Sequence, residues 1–156
     1  MNKNNIIIEN HSKTRIVLKN VFRSVDFYRK ITGADISSLS LSFVPDADME
    51  KINSSYLGHK GSTDVVTFDY SENTESLIDA EIIICTDQAK RNSKIYTTRM
   101  SEELIRLVFH GLLHISGYDD CSPGLRKAMK TKEDELINLW NQYNLRNSKN
   151  NGMSSA

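Results

Sequence analysis

Residues 104–120 read LIRLVFHGLLHISGYDD. Apolar side chains recur at helical spacing through Leu104, Ile105, Val108, Leu112 and Ile115, which predicts a helix with one face in a core. His110 and His114 are four apart, so they share a second face, one turn from each other. Gly117 supplies a residue that tolerates the left-handed conformation of a helix C-cap. The chain then turns back and brings Asp119 and Asp120 within reach of the histidines. A helix that is apolar on one side and carries two imidazoles on the other has to lie centrally, with its polar face opening into a cleft.

The flanking sequence supplies the layers around that helix. Residues 5–9 read as a short strand, 15–32 as a helix ended by Gly33, and 36–43 as a strand in which apolar residues alternate with serines. A short helix over 46–54 leads to a loop at 57–62. Residues 65–70 and 77–85 read as strands close enough to be hairpin partners across a polar turn. Thr86 and Asp87 are a candidate N-cap pair for a helix to about Thr97. Ser122 and Pro123 open a last helix, on which Leu125, Met129, Leu136, Trp140 and Tyr143 trace one face, read as core rather than as a base-stacking platform. Beyond Leu145, Asn, Ser, Lys and Gly dominate. The expectation is one α+β domain over 1–145, a small mixed sheet packed with helices, followed by a disordered polar tail at 146–156.

The histidine block has the spacing H-x3-H-x5-D. Two imidazoles and a carboxylate suit zinc, with nickel, iron or copper possible from the same donors. Three protein ligands leave a fourth position open, the layout of a catalytic rather than a structural site. The spacing leaves the third ligand between Asp120, which is favoured, Asp119, and Cys121, which could also close the site as a fourth donor. Half of the four histidines of the chain lie in this block; the others are His11 and His59. His59, in the 57–62 loop, reads as solvent-facing in preference to a phosphate or proton partner. The spacing also occurs in metzincin proteases, but Gly111 stands where those enzymes carry their glutamate general base, which counts against peptide hydrolysis by that mechanism.

HGLLHISGYDD, together with Asn53, Tyr56, the strand Thr63–Phe68 and the strand Asp79–Cys85, resembles the signature of the YbeY family of bacterial metal-dependent endoribonucleases. The resemblance covers roughly residues 5–143. It implies a single α+β domain, a zinc-type ion held by His110, His114 and Asp120, and cleavage of single-stranded RNA. It also implies roles in small-subunit ribosomal RNA 3′-end maturation and ribosome quality control, with the small ribosomal subunit and its proteins as partners. Three positions depart from the family pattern. Asp120 stands in place of a third histidine and makes the ion a weaker Lewis acid. Leu57 stands in place of an arginine, and Ala80-Glu81 in place of Gly-Asp.

Composition bounds these readings. Lysine plus arginine and aspartate plus glutamate are equal at 20 each, so bulk charge does not drive nucleic-acid binding. Basic residues nevertheless flank the histidines: Lys90, Arg91, Lys94, Arg99 and Arg106 before, Arg126, Lys127, Lys130 and Lys132 after. Arg106, one turn before His110, and Arg99 are the candidates for neutralising charge on a scissile phosphate. The competing reading of Arg106 is a surface pair with Glu102 or Glu103. Two cysteines far apart form no disulfide framework and no stretch suits a membrane span, which predicts a cytoplasmic protein. Two rival functions remain: a ribosome-assembly binding factor with a largely structural metal, favoured by Leu57 and the missing general base and supported if Cys121 closes the site, and a metal hydrolase acting on another substrate.

Overall fold

A computed structural model describes residues 5–58, 61, 63–71 and 77–154, with side chains described as far as 148. The expected readings of His59 and of most of the 71–76 turn lie outside these residues. Along the chain run β1 (Ile6–Asn10), α1 (Leu18–Thr32), β2 (Asp35–Val44), α2 (Asp46–Leu57), β3 (Val65–Asp69), β4 (Leu77–Cys85), α3 (Thr86–Tyr96), α4 (Met100–Ile115) and α5 (Pro123–Ser154). The strands form one sheet in the order β1-β2-β4-β3. β1, β2 and β4 are parallel, and β3 joins β4 antiparallel at the edge, so the hairpin expected from the sequence forms within a mixed sheet.

The alternation of β4 assigns its side chains to two cores. Ile78, Ala80, Ile82 and Ile84 enter the main core with α1, α4 and α5. Ile83 and Cys85 face the other way, into a smaller cluster with Val44, Val66 and Met49 of α2. A strand buried on both faces reads as a continuous apolar run, as IIIC at residues 82–85 does. β2 keeps Ile36, Leu39, Leu41 and Phe43 on the main core although the first is at an even and the rest at odd positions. The register against β4 shifts between Ile36 and Ser38, and that extra residue restores the parity.

α4 is central, as its sequence requires. Leu104, Ile105, Leu107, Val108, Phe109, Leu112 and Leu113 are all buried, and Arg106, His110 and His114 form the partly exposed strip between them. Gly111 lies where α4 crosses the sheet. A Cβ added there would meet Ile82 Cγ2 at 2.8 Å and Val65 Cγ1 at 3.4 Å, so helix and sheet meet at a distance that only glycine allows.

Three local expectations change. α1 starts at Leu18 because the Asn10 side chain shapes the preceding residues into a turn, accepting from Ser12 N–H and donating to Thr14 O. Thr86 and Asp87 do not cap α3. The Thr86 hydroxyl donates to Val44 O, and the Asp87 carboxylate accepts from Asp46 N–H at 2.8 Å, which satisfies the first turn of α2 instead. Leu125 and Tyr143 are exposed, and Ile137 joins Met129, Leu136 and Trp140 in the core. α5 runs from Pro123 to Ser154. No proline follows Pro123 to break its hydrogen-bond ladder.

Candidate metal centre

The end of α4 sets the geometry. Tyr118 N–H bonds Leu113 O and Gly117 N–H bonds His114 O, the pair of bonds that closes a Schellman C-cap, with Gly117 at φ 106° in the left-handed region. The chain reverses there and returns Asp120 to the histidine face. Asp120 Oδ2 lies 3.4 Å from His114 Nε2 and 3.8 Å from His110 Nε2. The two imidazole rings are 4.7 Å apart, with an 80° angle between their planes. One donor atom from each of the three residues lies within 4.8 Å of the others. Ligands about 2.0–2.2 Å from a tetrahedral ion stand about 3.3–3.6 Å from one another, so this donor set fits a zinc-type ion with little adjustment.

α5 supplies the outer support. Glu133 Oε2 is 2.9 Å from His110 Nδ1. A proton on Nδ1 donated to that carboxylate leaves the Nε2 lone pair facing the cluster, which is how a second carboxylate orients a metal-binding histidine. Burial of the His110 ring draws its pKa down. The Glu133 hydrogen bond and the charges of Glu133, Asp64 and Asp120 outweigh it, so the net shift is upward. Glu133 was not picked out from the sequence, since it lies 23 residues from His110 in an ordinary charged run. Its signal is weak but present: Arg126, Lys130 and Glu133 recur at i, i+4 and i+7 and share one face of α5.

Cys121 stands apart. Its thiol donates to Asp119 Oδ2 at 3.1 Å, and that carboxylate pushes the thiol pKa up, away from the thiolate that binds metal. Asp119 is further engaged by Asp120 N–H at 2.7 Å. Of the alternatives left open by spacing, Asp120 is the one beside both histidines.

A cavity of about 410 Å³ opens onto the cluster, lined among others by Asp64, Tyr96, Arg106, His110, Asp120, Arg126, Lys130 and Glu133. Arg106 does not pair with Glu102 or Glu103. Its guanidinium is 2.7 Å from Asp134 and 3.8 Å from Glu133. Arg99 precedes α4, is exposed and lines a different cavity, about 16 Å along the helix axis from His110. Arg126 and Lys130 reach this cavity from α5, and neither has a carboxylate partner among the described residues; Arg126 Nη1 bonds Asp120 O at 3.4 Å. Asn53, buried at the end of α2, donates to Gly61 O, while Leu57 is exposed in the last turn of that helix.

A second group of possible donors, Asp46, Cys85 and Asp87, lies between α2 and α3. Arg91 binds both Asp46 oxygens at 2.7 and 2.8 Å, and Asp87 holds Asp46 N–H. With both carboxylates engaged in these contacts, the cluster reads as a tie between two helices. A larger cavity of about 1090 Å³, bordered by Tyr28, Ser116 and Lys132, lies on the other side of the α4 C-terminus and holds no such donor cluster among the described residues.

Comparison with known proteins matches this chain over nearly its whole length. The family model described as Endoribonuclease YbeY matches residues 2–141. A protein of Chlorobium phaeovibrioides named Endoribonuclease YbeY is 32% identical over 134 residues, 85% of this chain and 89% of that protein. One of Syntrophus aciditrophicus with the same name is 34% identical over 147 residues, 90% and 92% of the two chains. The solution structure of a Thermotoga maritima protein superposes with a TM-score of 0.65 over 92% of this chain and 95% of that one, at 24% identity, a likeness of fold.

Proposed function

The chain belongs to the YbeY family of endoribonucleases, and we propose that it cleaves single-stranded RNA in a metal-dependent way, in small-subunit ribosomal RNA 3′-end maturation and ribosome quality control in the cytoplasm. The observation that carries metal dependence is the convergence of His110, His114 and Asp120, with Glu133 fixing the His110 ring from behind. A bound divalent ion of the zinc type supplies Lewis-acid stabilisation of charge on a phosphoryl oxygen.

The chain's own residues do the rest. Arg126 and Lys130 bind the RNA backbone on the α5 side of the cavity. They join Arg106, which lines the same cavity while paired with Asp134, in neutralising charge on the scissile phosphate; Arg99 lines another cavity. They also supply the positive charge that Leu57 does not. Asp64 borders the same cavity, with one oxygen held by Val65 N–H at 2.8 Å, and is the carboxylate placed to accept a proton from the attacking hydroxyl. Asp64→Asn should lower kcat by about 10²–10⁴-fold with metal content unchanged; undiminished turnover removes Asp64 from this role. RNA carries its own nucleophile, the 2′-hydroxyl, and a 2′,3′-cyclic phosphate product would identify that route.

The Cys121 thiol, turned to Asp119, favours an open coordination position over a closed structural site. The deciding experiment pairs elemental analysis with cleavage of single-stranded RNA by wild type and His114→Ala. One ion per chain in the wild type, with ion and cleavage both lost in the variant, supports the reading. An ion with no cleavage by the wild type moves the assignment to a ribosome-assembly binding factor.

A further inference from the structure

We propose that Tyr96 is a stacking platform for an RNA base beside the candidate metal centre, a role that rests on the RNA-cleavage reading above. Tyr96 is the last residue of α3, and apart from His110 it is the only aromatic ring among the described residues lining the cavity. It is 62% exposed, so core packing does not account for a ring at this place.

Two neighbours point to a nucleotide. Lys130 Nζ lies over the Tyr96 ring, 5.7 Å from its centre, held there by the quadrupole of the π-face. Arg126 stands one turn earlier on the same face of α5. A flat apolar surface next to two cations mirrors the layout of a nucleotide, a flat base next to an anionic phosphate. The backbone that presents the ring is itself unusual. Thr97 adopts φ 53°, ψ 48°, and is the only non-glycine residue with positive φ among the described ones. A β-branched residue is disfavoured in that region, and such strain persists where the surrounding structure holds it. The consequence here is a helix that stops at Tyr96, so the ring stands at the rim of the cavity.

A base stacked on Tyr96 has left any duplex, so the platform gives single-strand preference a specific residue. Every base has a π-face, so the contact tolerates any sequence at that position.

The test uses the metal-loaded full chain and a single-stranded RNA carrying one fluorescent purine analogue. Tyr96→Ala should raise KM by about five- to a hundredfold, the loss of one base–aromatic stack, with kcat within about twofold. Tyr96→Phe, which keeps the π-face, should restore KM. Binding should quench the analogue's fluorescence with wild type and Tyr96→Phe and leave it unquenched with Tyr96→Ala. A wild-type KM and quench in Tyr96→Ala, in a preparation where His114→Ala has lost cleavage, overturns the platform and leaves the RNA reading intact. A wild type that neither cleaves nor quenches removes the RNA reading, and the platform with it.

Discussion

Glu133 illustrates how one carboxylate on the next helix of the chain governs a histidine. Its hydrogen bond selects the ring tautomer of His110 and, with Asp64 and Asp120, raises that residue's pKa against the opposing effect of burial. Glu133→Gln should weaken metal binding by about 10–100-fold, measured by competition with a chromophoric chelator. The same shift gives the pH dependence a sign. A protonated imidazole cannot ligate, so a raised pKa lets protons compete to higher pH. Metal affinity should therefore fall as pH drops, from above the ordinary imidazole pKa of about 6.5, and Glu133→Gln should move that onset to lower pH. An onset identical in the two proteins would refute the coupling. His110, His114 and Asp120 were legible in the sequence because one turn of helix and one capped reversal fix their spacing. Glu133, Asp64 and Tyr96 were not, because each arrives from another element whose place depends on the whole packing.

The elements carry constraints that spacing alone conceals. α4 approaches the sheet so closely at Gly111 that Ile82 Cγ2 would stand 2.8 Å from an added Cβ. That methyl sits on the Ile82 Cβ and moves only if the whole buried, β-branched side chain changes rotamer. Gly111→Ala should cost about 1–3 kcal/mol in overpacking, against a helix-propensity gain of about 1 kcal/mol, for a net loss of up to about 2 kcal/mol by urea denaturation. A stabilised variant would show that the helix can lift without penalty. The element pattern itself read well from the sequence where periodicity was unambiguous, as in β4 and α4. It read poorly at ends decided by side chains from elsewhere. Asp87 looked like a cap for its own helix and serves α2, while Leu125 and Ile137 exchange burial because the rotation of α5 is set by its contacts with α1 and α4.

At the scale of the molecule, the site couples three parts of the chain: α4, the turn after it, and α5 through Glu133. An ion bound only by the folded chain stabilises that arrangement by mass action. Chelation should therefore lower Tm, read by scanning calorimetry. The gap between loaded and stripped protein should widen as pH rises. In the stripped protein, a His110 pKa above its unfolded value adds stability at low pH and loses it as pH climbs through the folded value, while the ion binds more tightly over the same range. A Tm indifferent to chelator would show that the three parts hold together without the ion. The α+β class followed from the order of strands and helices. The parallel pairing of β1, β2 and β4 with β3 alone reversed is a non-local arrangement that pattern reading does not fix.

The close crossing at Gly111 also bears on what this scaffold could become. The position after the first histidine points at Ile82 and Val65 of the sheet. A glutamate installed there would have to push the helix off the sheet, dragging both imidazoles with it. The one-residue route from this chain to the H-E-x-x-H arrangement of a zinc peptidase is thus closed by packing, and any conversion would have to begin by rebuilding the sheet beneath the helix.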